Sequence, residues 1–146
     1  MADTVKRYFF RKNQKLAKPE QFRAVLAHKC CSQNDLIRLY AVANDCGYPR
    51  LGISVGKKQA GAVERNRLKR LSREAFRLCQ HDIPAGYDYL LIFAPKTSKK
   101  GERKPQIASG AVSFETVRRS LIELAQTAVQ KSRQRSLNSM EKASGE

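Results

Sequence analysis

The sequence predicts a single-domain α/β (α+β) sandwich, a mixed four-stranded sheet with about three helices packed on it. Two observations carry this. Segments of helical and of extended periodicity succeed one another as helix, strands, basic helix, strand and helix, and 146 residues suffice for one core but hardly for two. The domain is expected over residues 1–130, with 131–146, low in hydrophobicity, as a disordered tail.

Residues 1–17 are mixed and basic. Pro19 and Glu20 then open a short helix with Phe22, Val25 and Leu26 as its apolar positions; proline suits a first helical turn, where its missing N–H is not needed. In HKCCSQNDLIRLYAVAND, Ile37, Leu39 and Ala41 alternate with Arg38, Tyr40 and Val42, the period-two pattern of a strand with two faces. CGYPRLGISVGKK starts with turn residues and then alternates Leu51, Ile53 and Val55 with Gly52, Ser54 and Gly56. That reads as a hairpin partner of the preceding strand, with a glycine face that leaves room for another backbone. A basic helix over 63–80 ends at the breaker IPAG, and YDYLLIFAP is apolar enough for an interior strand covered on both faces. KTSKKGERKPQIASGA is expected to be a flexible basic loop. A final helix begins near Ser113, a suitable N-cap, with Phe114, Val117, Leu121, Leu124, Ala128 and Val129 at helical spacing. The basic helix joins two strands expected in the same sheet.

Charge sets the class of partner. The chain has 29 Lys plus Arg against 13 Asp plus Glu, a net +16 with a pI near 10.1, which points to a polyanion. Nucleic acid is favoured over an anionic membrane surface, because no apolar run approaches the roughly 20 residues of a membrane-spanning helix. A helix lying on lipid would also want bulky aromatics opposite its cations and no sheet to bury its apolar stripe. MADTVKRYFFRKNQK lacks the apolar core of a signal peptide, so a cytoplasmic protein is expected, with no membrane and no obligate protein partner. Cys30, Cys31, Cys46 and Cys79 form no Cys-x-x-Cys pair, and neither His28 nor His81 completes a zinc-ligand spacing. Reduced thiols and no metal site are expected.

The segment VERNRLKRLSREAFRLCQ holds six Arg or Lys and two Glu. At about 100° per residue, Leu68, Leu71, Ala75, Leu78 and Cys79 fall within roughly a third of the circumference, with Asn66, Lys69, Arg70, Arg73 and Arg77 opposite. An ordinary solvated helix face mixes signs through i,i+4 pairs. Glu64 and Glu74 cannot neutralise Arg65, Arg67, Lys69, Arg70, Arg73 and Arg77, so the repulsion among them argues for a binding role. Guanidinium forks match phosphate oxygens and stack on exposed bases, and Asn66 can both donate and accept at a 2′-hydroxyl or base edge. Lys57 and Lys58 lie just ahead, at a strand end, and extend the same phosphate-tracking surface.

The pattern in RNRLKRLSREAF, Arg-Asn-Arg, x, Lys-Arg, x, x, Arg, x, x, Phe, resembles the signature of the bacterial ribonuclease P protein component. KLAKPEQF, LGISVGKK, YDYLLIFAP and the final amphipathic helix follow that family's order, so the resemblance covers roughly residues 8–130. It implies a protein cofactor of a ribozyme that removes the 5′ leader of precursor tRNA. Ribonuclease P RNA and precursor tRNA are then the partners, with hydrolysis and its Mg²⁺ belonging mainly to the RNA subunit and substrate, and no catalytic residue in the protein. The implied RNA contacts are Arg65, Asn66, Arg67, Lys69, Arg70 and Arg73, to which charge and position add Lys57, Lys58 and Arg77. A leader cleft between the first helix and the sheet implies Phe22 and Tyr40 as its lining and Lys18 beside it. The resemblance also implies a left-handed β-α-β crossover around the basic helix. The chain departs from the family at Ala60 and Gly61, where a glycine followed by Asn or Lys is usual, and in the enlarged basic stretch from Lys96 to Lys104.

Two other functions are weighed against this one. A nuclease acting alone would need clustered carboxylates for metals or a His pair, and the 13 acids are scattered. A structural RNA-binding protein, such as a ribosomal protein or RNA chaperone, would share the charge and fold; only the signature spacing separates it.

Overall fold

A computed structural model describes residues 10–16, 18–93, 107 and 110–144, with side chains as far as residue 138. A 3₁₀ turn, Lys12–Gln14, leads into α1 (Pro19–His28); β1 (Cys31–Gln33) and β2 (Ile37–Ala43) follow, then β3 (Arg50–Val55), α2 (Ala62–Cys79), β4 (Tyr87–Phe93) and α3 (Phe114–Ser144). The strands form one sheet in the order β1-β2-β4-β3. β2 is antiparallel to β1 and to β4, whereas β3 runs parallel to β4. The expected mixed four-stranded sheet with three helices is thus present, and α2 links two strands of that one sheet.

One expected pairing is corrected. β3 is not the hairpin partner of β2, because β4 lies between them and makes β3 an edge strand. The hairpin is instead β1–β2, and its turn is chemically explicit: the Asn34 side-chain oxygen accepts from the N–H groups of Leu36 and Ile37 at 2.9 and 2.8 Å. Asparagine imitates a backbone turn in this way. As an interior strand, β4 buries residues on both faces, including Tyr89, Leu90, Leu91 and Phe93.

The two sheet faces are unequal. Ile37, Leu39 and Ala41 of β2, with Tyr89, Leu91 and Phe93 of β4, meet α2 and α3 in the main core. From α3 come Val117, Leu121, Leu124, Ala125, Ala128 and Val129, the stripe the sequence predicts, and Ser113 Oγ accepts from Thr116 N–H at 3.2 Å at its start. The opposite face is small: Leu90 packs against Leu16 and Val25, with Phe22, Tyr40, Val42 and Ile92 half-buried around them. α1 alone among the helices covers that face.

The buried side of α2 is rotated from the expected stripe. Leu68, Ser72, Ala75, Phe76 and Cys79 are inside, while Leu78 is 38% exposed and Leu71 half-buried. The large Phe76 ring packs edge-on against Phe10 at 5.2 Å between centroids, which turns the helix toward that side. Burial raises the Cys79 thiol to about 12, so it stays protonated. All four cysteines are free thiols.

The predicted tail is also corrected. α3 continues through residues 131–144 as helix. No apolar stripe announces this, because the segment is tied down by polar contacts: Lys131 Nζ donates to the Cys31 carbonyl at 3.1 Å, and Arg133 Nε to the Tyr87 hydroxyl at 3.3 Å. The basic loop from Lys96 to Lys104 lies outside the described residues. Ile107, beyond it, is buried and donates its N–H to the Gln59 carbonyl at 2.7 Å.

Gly52 is where the sheet admits α1. A Cβ there would stand 2.6 Å from Phe22 Cε1 and 3.1 Å from Leu16 Cβ, so the room left by the glycine is filled by a phenyl ring and a leucine stem. Gly52→Ala should destabilise by about 1–3 kcal/mol through overpacking. The melting temperature of the purified protein checks this, and an unchanged value would mean that the Phe22 ring swings aside freely.

Candidate nucleic-acid interface

α2 starts at Gly61, whose carbonyl accepts from Arg65 N–H at 2.8 Å, and runs unbroken to Cys79. With its buried side fixed by Leu68, Ala75 and Phe76, the remaining circumference faces outward. Asn66, Arg70 and Arg73 are exposed and Lys69 is half-buried; Lys57 and Lys58 are exposed in the turn between β3 and α2. No side chain of these six makes a hydrogen bond or ion pair with the described residues. Each holds its charge or amide toward solvent.

The other three predicted RNA contacts are differently placed. Arg65 donates to the Ala60 carbonyl at 2.9 Å, bracing the turn that precedes the helix. Arg67 bonds the buried Glu64 carboxylate at 2.7 Å and the Val112 carbonyl at 2.7 Å, so it ties α2 to the segment that enters α3. Arg77 pairs with Glu74, and that contact holds the Glu74 carboxyl below its ordinary value. Sequence spacing does not foresee these engagements, which depend on where Ala60 and Val112 arrive in space. A residue it overlooks is Val63, 84% exposed and a turn away from Asn66 and Arg67, an apolar contact among the cations.

Beside this helix face lies a groove along the β3 edge. The strand alternation that sends the Leu51 carbonyl outward to the Leu16 N–H, 2.9 Å away, also points the backbone of Ile53 and Val55 away from β4. Among the described residues, the segment before α1 covers the edge at Leu51, through its bridge with Lys15. Beyond it, a hollow of about 340 Å³ opens between Phe22 and Leu26 of α1, the β3 residues Ile53, Ser54 and Val55, Leu90 and Ile92 of β4, and Lys69 of α2. A second hollow of about 190 Å³ adjoins it, lined by Phe10, Lys15, Leu16, Leu51 and Ile53, with Lys69 and Arg73 at its side. Ile53 and Lys69 border both. The floor is apolar and the α2 rim cationic.

Of the residues expected to line a cleft, Phe22 stands in its wall. Lys18, exposed at the α1 N-cap, precedes Phe22 by one turn on the same helix face. Tyr40 lies one strand further in, opposite Leu90 in the β2–β4 register, and packs with the small cluster rather than lining either hollow. Ile53, Ser54 and Lys15 were not anticipated. The signal for them is topological: they matter because β3 is an edge strand, which local alternation does not specify.

Four carboxylates among the described residues are held by arginine. Glu64 is engaged by Arg67, Glu74 by Arg77, Glu115 by Arg118, and Asp88 by Arg50 in a bidentate contact with both distances 2.6 Å. No three His, Cys, Asp or Glu converge among the described residues. These carboxylates are therefore a poor fit for a hydrolytic metal. No described helix is long and apolar enough to cross a membrane.

Comparison with known proteins agrees with the geometry. A sequence model of the family described as Ribonuclease P matches residues 10–129. The ribonuclease P protein component of Clostridium botulinum is 37% identical over 104 residues, covering 70% of this chain and 92% of that protein. That of Haemophilus influenzae is 37% identical over 118 residues, covering 80% and 94%. Among solved structures, the Thermotoga maritima ribonuclease P protein superposes with a TM-score of 0.62 at 34% identity, over 77% of this chain and 94% of that one. A helix whose unpaired cations border an apolar groove thus sits on the fold of these proteins, and the chain belongs to the ribonuclease P protein component family.

Proposed function

We propose that this protein, as the protein subunit of ribonuclease P, the endoribonuclease that matures the 5′ end of tRNA, binds the catalytic RNA with α2 and the single-stranded leader of precursor tRNA in the adjoining groove. The observation that carries this is the sharing of Lys69 between the exposed cationic face and the groove rim. One continuous surface then meets both RNAs. Lys57, Lys58, Asn66, Arg70 and Arg73 supply phosphate and 2′-hydroxyl contacts on the catalytic RNA. Phe22 offers an aromatic edge for leader bases, with Tyr40 behind it and Lys18 near the helix start. Apolar walls with a charged rim suit strands of varied sequence, because every base has a face to stack and every nucleotide a phosphate.

Hydrolysis belongs to the RNA subunit in this reading. The Mg²⁺ it uses is held by that RNA and the substrate, in keeping with carboxylates here that are engaged by arginine. The protein's contribution is electrostatic and positional: it screens phosphates brought close together and holds the leader in line. The complex works in the cytoplasm.

The deciding experiment is single-turnover cleavage of a precursor tRNA by a bacterial ribonuclease P RNA at low Mg²⁺, with and without the protein. Strong stimulation yielding the mature 5′ end, with no cleavage by protein alone, is expected. Binding without stimulation would favour a structural RNA-binding role.

Arg70→Ala should weaken catalytic-RNA binding and reduce the slope of log affinity against log salt by about 0.7–0.9, one phosphate contact. A salt titration that returns the wild-type slope would remove Arg70 from the phosphate contacts. Phe22→Ala should cost the holoenzyme about tenfold in preference for leader-bearing precursor over mature tRNA, the loss of one stacked base. Tyr40→Ala should cost less, since it lies behind the lining. Paired affinity measurements with both ligands test the order, and equal losses for precursor and mature tRNA would refute the leader assignment.

A further inference from the structure

We propose that the C-terminal part of α3 braces α1, the movable wall of the groove, and that Arg135 is the positioning residue of this brace. The inference rests on reading the groove as the leader site.

α1 is the least supported of the three helices. It lies by itself on the minor sheet face, where Val25 is buried and Phe22 only half-buried. Its exit is a demanding turn: Lys29 adopts φ 60° and ψ 16°, a left-handed conformation in which glycine is usual. A helix C-terminus also leaves carbonyl groups without partners in the helix, at the negative end of its dipole.

The extension of α3 meets this end of α1. The Arg135 guanidinium donates to the His28 carbonyl, the last residue of α1, and lies 3.6 Å from Cys30 Sγ. Ser132, 3% exposed in a segment otherwise facing water, places its Oγ 3.4 Å from His28 Nε2. Lys131 reaches the Cys31 carbonyl at 3.1 Å, so the turn from α1 into β1 is held on both sides of Lys29. A cation on the carbonyl end of a helix is electrostatically favourable, and this one comes from another element, which makes it a tether.

The consequence for the groove follows from distance along α1. His28 is two residues from Leu26 and six from Phe22, both of which line the larger hollow. With the C-terminal end of α1 held, Phe22 is pressed into the space above Gly52; with it released, α1 can tilt about its Pro19 end and the hollow loses its shape. The brace lies beyond residue 129, where the match to the family ends.

The test compares Arg135→Ala, Arg135→Lys and Phe22→Ala in the full-length protein assembled with a bacterial ribonuclease P RNA. Arg135→Ala should leave catalytic-RNA affinity unchanged and lower the preference for precursor over mature tRNA about fivefold, at the low end of couplings between sites. Arg135→Lys, which keeps a donor and the charge, should recover most of it. In the free protein, amide hydrogen exchange at Val25–Lys29 should quicken in Arg135→Ala while α2 amides stay protected. If Phe22→Ala lowers the preference and Arg135→Ala does not, the brace is wrong and the leader groove stands. If Phe22→Ala has no effect, the groove reading itself fails. Should α2 amides also lose protection in Arg135→Ala, the residue supports the whole fold and the positioning role is overturned.

Discussion

The position of β4 between β2 and β3 is the constraint on which the rest of the molecule depends. It follows from α2, which leaves the end of β3 and must return the chain beside it, so the two strands run parallel and β3 is left at the edge. An unprotected edge is ordinarily a hazard, since its backbone groups invite another strand. Here the segment before α1 closes it at Leu51, while α1, Lys69 and the Val55 end enclose the remainder as a groove. The topology thus makes a hollow and places the cationic helix at its side in one step. Asp88 secures the register by holding Arg50 across β3–β4 and accepting from Asn44 at 2.7 Å.

Within α2 the same residue type performs two kinds of work, and geometry separates them. Arg67 lies beside a buried carboxylate and a carbonyl, so its charge is consumed in joining α2 to the start of α3. Arg70, one turn on, has neither among the described residues. A cation with a fixed intramolecular partner exchanges one set of contacts for another on binding RNA, whereas an unpartnered one gains outright by releasing counterions from phosphate. The net +16 gives this a thermodynamic corollary. Like charges destabilise the compact state, and a polyanion that binds only the folded protein returns that stability.

Much of this was legible in the sequence because it is local. Helical and alternating periodicity located the three helices, β2 and β3, an apolar run located β4 while the three-residue β1 went unread, Pro19 and Ser113 marked helix starts, and the clustering of cations in residues 63–80 marked the candidate interface. Strand order was not legible: the alternation of Leu51, Ile53 and Val55 is the same whether β3 pairs with β2 or with β4, since pairing is a non-local choice. The rotation of α2 depended on the volume of Phe76, which a wheel weighs no more than Leu78. The wheel alone set Arg65 and Arg67 apart from the outward group, and it was their place in the signature that brought them back among the RNA contacts. The helix beyond residue 130 left no apolar trace because side chains reaching backbone carbonyls, rather than a buried stripe, hold it.

The groove and the helix face also divide affinity from selectivity on physical grounds. Phosphate contacts fall off with salt and are indifferent to sequence, so a surface made of these alone would bind any RNA. On the proposed reading the hollow between α1 and β3 takes bases that can be unstacked, which a single strand offers more readily than a duplex. Lys69 stands in both, so on the same reading a strand entering the groove brings its phosphates to the helix assigned to the catalytic RNA. The proposed leader recognition and RNA assembly would in this way depend on one another, with selectivity drawn from the shape of an edge rather than from a base-specific contact.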